Sequence, residues 1–231
     1  MVTVIIKRTD EPKVIQMTQA DLARQLNDVS GAEIILADTW TEGLSQVRTP
    51  YVSIVEPDCV FSANYYSSNV NILKKTLSKN GGFTKISLIA SCLGVRDFGN
   101  RVYHYEIGKV KEDVDVKSNT SILHWGLKPV KDKRGKYPYQ AQVAFIPGAV
   151  IRMAAIKDLL GDPIWEDKNM QKLSASICLR LWDTQRRVQV NPNTTYVSSD
   201  MNLENPWIMD FKVPVKAANL FQHELIGTGI L

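Results

Sequence analysis

Three apolar runs near the N-terminus restrict this chain to very few folds. Val2-Thr3-Val4-Ile5-Ile6, Ala32-Glu33-Ile34-Ile35-Leu36-Ala37 and Tyr51-Val52-Ser53-Ile54-Val55 are short, rich in β-branched residues and nearly free of charge. Such runs read as strands covered on both faces, which belong to parallel sheets whose crossovers are helices. The residues between them supply those crossovers. Thr18 reads as a helix N-cap with Asp21 three residues on, and Leu22, Leu26 and Val29 keep helical spacing up to Gly31. Residues 41–48 have room for one short helix before the third strand. The order is strand, helix, strand, short helix, strand, with right-handed crossovers.

The alternation continues past residue 56. Ser62 is placed to cap a helix whose inner face is Tyr66, Val70, Leu73 and Leu77, ended by Asn80-Gly81-Gly82, and residues 85–90 make a fourth strand. From 93 to 140 the pattern breaks, and alternating Val102, His104 and Glu106 among polar turns indicate hairpins. Residues 144–151 bring a strand into a tight turn. A helix follows with Met170, Leu173, Ile177 and Leu181 on one face, then a strand at 188–190. The tail from Met201, with Trp207, Phe211 and Phe221, has no clear period and reads as a wrap or lid. The fold class expected is α/β: a mostly parallel, Rossmann-like sheet flanked by helices, with a hairpin-rich insertion and a C-terminal wrap.

Composition sets further bounds. At 231 residues and 44% hydrophobic content the chain can bury a continuous core. Its longest apolar runs, at 2–6 and 143–146, are far short of the roughly 20 residues that cross a bilayer. No secretory leader pattern opens the sequence. The three cysteines, Cys59, Cys92 and Cys178, form no C-x-x-C pair, which rules out the usual zinc spacings and does not suggest a disulfide framework, so a reducing cytoplasm is the expected location. His104, His124 and His223 are the only histidines, too few to suggest a histidine-rich metal site or a Ser-His-Asp triad. Lys128, Lys131, Lys133, Arg134 and Lys136 share one Gly- and Pro-containing stretch, read as a solvated loop or as a contact for an acidic acceptor.

The third strand ends abruptly in Glu56-Pro57-Asp58. Acids beside proline are ordinary turn residues, because proline fixes φ and aspartate caps the next amide. An acid-x-acid pair at the tip of a buried strand is also a means of holding a divalent cation against a diphosphate.

Taken in order, the motifs resemble those of the glycosyltransferases of the GT-A fold, in particular the family 2 group that uses nucleotide-sugar donors. Val4-Ile5-Ile6 running into Lys7-Arg8-Thr9-Asp10-Glu11 is similar to that family's first strand, and Ile34-Ile35-Leu36-Ala37-Asp38 to its second. Tyr51 through Asp58 resembles the strand that ends in the metal-binding D-x-D, with glutamate for the first aspartate. Phe145-Ile146-Pro147-Gly148, Cys178-Leu179-Arg180-Leu181 and Arg187-Val188-Gln189-Val190-Asn191-Pro192 resemble the acceptor-side half.

The resemblance implies a nucleotide-sugar-binding half at 1–92, an insertion at 93–140, an acceptor-side half at 141–200 and a tail or lid at 201–231. It implies a UDP- or GDP-sugar donor held by Lys7, Arg8, Thr9, Asp10, Asp38, Glu56 and Gly148, with an undetermined acceptor. It also implies Mn²⁺ or Mg²⁺ on Asp58, supported by Glu56. Asp38 is suited either to a base edge or to capping a turn, and Lys7 or Arg8 either to phosphate or to solvent.

Two departures from the family's pattern stand out. An acidic pair is expected ahead of Cys178-Leu179-Arg180-Leu181 at positions held here by Leu173-Ser174, so the base for inverting transfer is sought at Glu166 or Asp167. Acids there also suit a helix's first turn, and a retaining mechanism without such a base is the other option. Ser198 stands where relatives place a metal-binding histidine, which makes Asp200 the substitute oxygen ligand and His223 a further candidate. Residues 7–13 contain no glycine, which counts against a sugar nucleotidyltransferase, a Rossmann dehydrogenase or a P-loop enzyme. A catalytically silent GT-A-like module that binds glycan, protein or nucleic acid is the alternative from another class.

Overall fold

The computed structural model describes residues 1–75, 86–96, 102–115, 120–129, 138–141, 143–167, 170–202 and 208–214. In chain order the first elements are β1 (Val2–Lys7), α1 (Pro12–Leu26), β2 (Glu33–Ala37), α2 (Trp40–Gln46), β3 (Tyr51–Val55), β4 (Val60–Phe61), α3 (Tyr65–Lys75) and β5 (Ile86–Arg96). Then come β6 (Val102–Asp115), β7 (Thr120–Pro129), β8 (Tyr139–Ala141), β9 (Val150–Arg152), α4 (Met153–Ile156), α5 (Met170–Asp183), β10 (Arg187–Asn202) and β11 (Ile208–Pro214). Two 3-10 turns, Lys157–Leu159 and Pro163–Glu166, link α4 to α5.

β1 lies between β2 and β3 and pairs with both in parallel. Its residues 2–6 and all of β3 are buried, as the unbroken apolar runs require. The Thr3 hydroxyl, buried among them, donates to the Glu33 carboxylate and lies 2.8 Å from the Thr49 hydroxyl. Because α1 leads from β1 to β2 and α2 leads back past β1 to β3, two right-handed crossovers must fall on opposite faces. The contacts agree. Gly43 of α2 packs on Ile5 and Ala37. On the opposite face, Tyr66 of α3 reaches Ser53 at 3.2 Å, and Ser53 alternates with Ile54, the register partner of Ile5. α1 meets α3 there, where the Tyr65 amide donates to Gln25 Oε1 at 3.2 Å.

Beyond β3 the sheet continues through β9, antiparallel to both its neighbours, to β5, which therefore runs with β3. β10 runs parallel to β5, so β2, β1, β3, β5 and β10 share one direction and form the α/β body expected from the sequence. β6 and β7 form the antiparallel hairpin of the insertion, and β11 joins the far edge of β7. The described part of the C-terminal segment thus extends the sheet. Leu77, the glycine stop at 80–82, Lys131, Lys133, Arg134, Lys136, Trp207, Phe221 and His223 lie outside the described residues.

Two helix starts differ from the sequence reading. α1 begins at Pro12, which suits the first helical position because its missing N–H needs no partner, and Thr18 falls inside the helix. Ser62 pairs with β10 beside the short strand β4: its amide donates to the Thr195 carbonyl at 3.0 Å and its hydroxyl accepts from the Thr195 amide at 2.9 Å.

β10 shifts register between Asn191 and Thr195, across Pro192 and Asn193. Buried Asn191 donates through Nδ2 to Asn69 Oδ1 at 2.8 Å and to Ser68 Oγ at 3.1 Å. Asn69 in turn donates to Ser91 Oγ at 3.1 Å, and Ser91 lies 2.6 Å from the Thr194 hydroxyl. A satisfied network of this kind fixes α3 and the bulge on β5 in one arrangement. No helix among the described residues is long and apolar enough to cross a membrane.

Gly43 tests the α2–β1 contact. A Cβ there would lie 2.5 Å from Ile5 Cγ2 and 3.2 Å from Ala37 Cβ. Alanine gains about 1 kcal/mol of helix propensity, but displacing a β-branched side chain in a packed core costs about 1–3 kcal/mol. Gly43→Ala is expected to lower the urea midpoint. An unchanged or raised midpoint would mean that α2 lifts off β1 without cost.

Candidate functional site

Chain direction along the sheet reverses at β1 and β3. The crossover after β1 leads to β2 on one side, whereas the strands reached after β3 lie on the other. In open α/β sheets the ligand crevice opens at such a reversal, outside the carboxyl ends of the strands. A cleft of about 660 Å³ lies there. Lys7, Arg8, Thr9, Asp10, Glu11 and Val14 line it from the end of β1 and the start of α1, Glu56, Pro57 and Asp58 from the end of β3, and Trp40 and Met170 from α2 and α5. Six residues proposed from the sequence, Lys7, Arg8, Thr9, Asp10, Glu56 and Asp58, thus share one wall system.

Each is held differently. Lys7 is half-buried, with Nζ 5.6 Å from the centre of the Trp40 ring, a cation–π distance. Trp40 itself is buried and its Nε1 has no hydrogen-bond partner. Arg8 pairs with Asp38 at 3.2 Å, both exposed, so Asp38 stands beside the cleft and is not among its lining residues. Glu11 is the N-cap of α1, with no side-chain capping bond, and the first turn carries no acid. The Val14 and Ile15 amides both donate to the Glu11 carbonyl, and of the α1 residues Val14 alone is in the cleft lining.

Asp58 has a left-handed backbone, φ 63°, and is exposed. For a residue with a Cβ that conformation costs about 1 kcal/mol, although aspartate tolerates it better than most. Its amide donates to the buried Thr18 hydroxyl at 3.1 Å, and Thr18 donates to the Val14 carbonyl at 3.0 Å. Among the described residues no group of three or more His, Cys, Asp or Glu is arranged to hold a metal ion. A cation at Glu56 and Asp58 would need ligands from elsewhere, as Mg²⁺ commonly does when it binds through one or two carboxylates and substrate phosphates.

Behind the acidic loop Cys59, Tyr65, Tyr66 and Tyr196 are all buried. Burial drives the Cys59 thiol and the Tyr65, Tyr66 and Tyr196 phenols far above their ordinary values, and pushes Cys178 up to about 12. All five stay neutral at physiological pH. Gly148 belongs to this aromatic layer. Its φ is +78°, its amide donates to the Ile54 carbonyl at 2.7 Å, and a Cβ would lie 2.5 Å from the Tyr196 ring. Close packing therefore requires glycine here, and Gly148 does not line the cleft.

The two acids offered as a base have partners outside the cleft lining. Glu166 Oε1 accepts from the Thr41 amide at 3.0 Å, in the first turn of α2, and Asp167 pairs with Lys172 at 2.8 Å. Ser174, where an acid was looked for, is buried and accepts from the Ile146 amide at 3.0 Å. Asp200 falls on β10, with its side chain outside the described residues. Sequence reasoning missed Thr18, Trp40, Val14 and Met170. Only Pro12 at the first helical position signalled the true register of α1 and hence the place of Thr18.

No family model matches this sequence, and neither does any curated protein. Solved structures similar to it are GT-A glycosyltransferases. GalNAc-T7 with UDP, GalNAc and Mn²⁺ aligns over 84% of this chain and 37% of that one, at 13% identity and a TM-score of 0.48. S. aureus TarS 1–349 in complex with UDP-GlcNAc aligns over 87% and 59%, at 9% identity and a TM-score of 0.48. A second structure of TarS 1–349 gives 87% and 58%, at 12% identity and 0.44. The chain spans less than two thirds of the length of each.

Glu166→Ala is expected to destabilise the fold by about 1 kcal/mol through loss of a cap on α2. Urea unfolding measures it, and a wild-type midpoint would show that the Thr41 contact is incidental.

Proposed function

We propose that the protein is a metal-dependent glycosyltransferase that takes its sugar from a nucleotide-diphosphate donor, a UDP- or GDP-sugar. The observation that carries this reading is the meeting, in one cleft at the sheet's reversal, of the acid-x-acid tip of β3 with the basic end of β1. Lys7 would face the diphosphate, with Thr9, Asp10 and Arg8–Asp38 toward the ribose and base. Asp58, with Glu56, would hold Mn²⁺ or Mg²⁺. When bound, the ion supplies charge stabilisation for the departing diphosphate without proton transfer. Asp200 is a further oxygen ligand within the same proposal.

The division into a donor half at 1–92 and an acceptor half at 141–200 belongs to this reading. So does a reducing, cytoplasmic location, supported by three buried cysteines that form no disulfide with one another. Inverting transfer needs a base beside the acceptor. Asp167 and Glu166 are kept for that role only if they act while released from Lys172 and Thr41. Their present partners favour the second reading, a catalytically silent GT-A-like module with the same cleft.

Thermal melts with a panel of UDP- and GDP-sugars, with and without Mn²⁺, test the first step. A matching donor at about a hundred times its Kd, with metal, is expected to raise Tm by about 5–10 °C. Mn²⁺ alone should give no rise, because two carboxylates leave its shell incomplete. Asp58→Ala should remove the effect and Glu56→Ala should weaken it. If no donor shifts the melt, or if both variants respond like wild type, the metal-diphosphate reading falls.

Donor hydrolysis separates the two readings once binding is seen. Loss of turnover in Asp167→Asn or Glu166→Gln, with donor binding kept, assigns the base. Binding with no turnover in the unaltered protein, across donors, leaves the silent module.

A further inference from the structure

We infer that Thr18 is the positioning residue of the cation site: its buried hydroxyl fixes Asp58 in the left-handed conformation that presents the carboxylate to the cleft. The inference rests on the reading of Asp58 as a metal ligand given above.

Thr18 is 3% exposed and lies in the interior of a helix, where threonine is a poor choice unless its hydroxyl has work elsewhere. A hydroxyl carries one proton and two lone pairs. Here the proton goes to the Val14 carbonyl, 3.0 Å away, and a lone pair accepts the Asp58 amide proton at 3.1 Å. Asp58 follows Pro57, whose φ is fixed by its ring, and precedes the buried Cys59. The loop's adjustable backbone is therefore at Asp58 itself, and the Thr18 bond holds it at φ 63°.

The same side chain ties the site together. Val14 lines the cleft near the start of α1, where the diphosphate would sit, and Asp58 lines it from the end of β3. The path from the Val14 carbonyl through the Thr18 hydroxyl to the Asp58 amide fixes the phosphate wall against the metal wall. Partners that orient a metal ligand without touching the metal typically contribute 10–100-fold to metal affinity.

Isothermal titration of UDP at graded Mn²⁺ concentrations, with the intact chain, measures the effect. Thr18→Val keeps the shape and removes the hydroxyl, and is expected to raise the half-saturating Mn²⁺ concentration by about tenfold or more. Thr18→Ser, which keeps the hydroxyl, should restore the wild-type value. In an Asp58→Asn background Thr18→Val should add nothing. A merely structural threonine would still weaken binding in the Asp58→Asn background, and serine would not rescue the metal dependence.

If Thr18→Val does not fold, Thr18→Ala takes its place with the same expectation. Wild-type Mn²⁺ dependence in the valine or alanine variant overturns the inference and leaves the proposed function standing. Absence of Mn²⁺-dependent UDP binding in the unaltered protein removes both.

Discussion

The burial of β1 on both faces is the constraint on which the rest of the molecule depends. A strand with no solvent face is flanked by strands on both edges and covered by helices above and below, and here the connection after β1 leads to one side of the sheet and the one after β3 to the other. With β2 on one side and β3 on the other, the loops after β1 and β3 part and leave an opening between them. The cleft is thus a consequence of topology. What fills it chemically depends on the few residues at two strand ends, and here those are Lys7 to Glu11 and Glu56 to Asp58.

What lies behind the cleft narrows the chemistry it can support. Cys59, Tyr65, Tyr66 and Tyr196 are buried and held neutral, so neither thiolate nor phenolate chemistry is available from that side. Glu166 and Asp167 are drawn off to a helix terminus and a lysine. The acids left in the lining all stand at the mouth, where they can hold a cation or bond a sugar hydroxyl.

The fold was legible where burial dictates composition. The apolar runs of β1, β2 and β3 needed only the rule that unbroken β-branched stretches are covered on both sides. The helix α3 was legible because Tyr66, Val70 and Leu73 keep strict spacing. Legibility failed where a residue type has two uses. Thr18 has the chemistry of an N-cap, but its hydroxyl serves the tertiary contact to Asp58. Ser62 looks like a cap and is an edge partner for Thr195. Gly148, assigned to a ligand, is glycine because Tyr65 and Tyr196 close over it. In each case the deciding partner is distant in sequence, and no local pattern encodes it.

The charge balance of the cleft links its two halves. Asp10, Glu11, Glu56 and Asp58 place four carboxylates in the lining against two cations, Lys7 and Arg8, and Arg8 already pairs with Asp38. Such a lining repels a free diphosphate more than it attracts one, in a setting where facing charges are only partly screened. On the function proposed above, a divalent cation would reverse the balance, drawn by Asp58 and Glu56 and in turn drawing the phosphates. Neither partner then completes the site alone: the carboxylates give the ion too few ligands, and the bare cleft gives the diphosphate too little positive charge. Binding of metal and donor is therefore expected to be strongly cooperative, and each must raise the affinity of the other by the same factor.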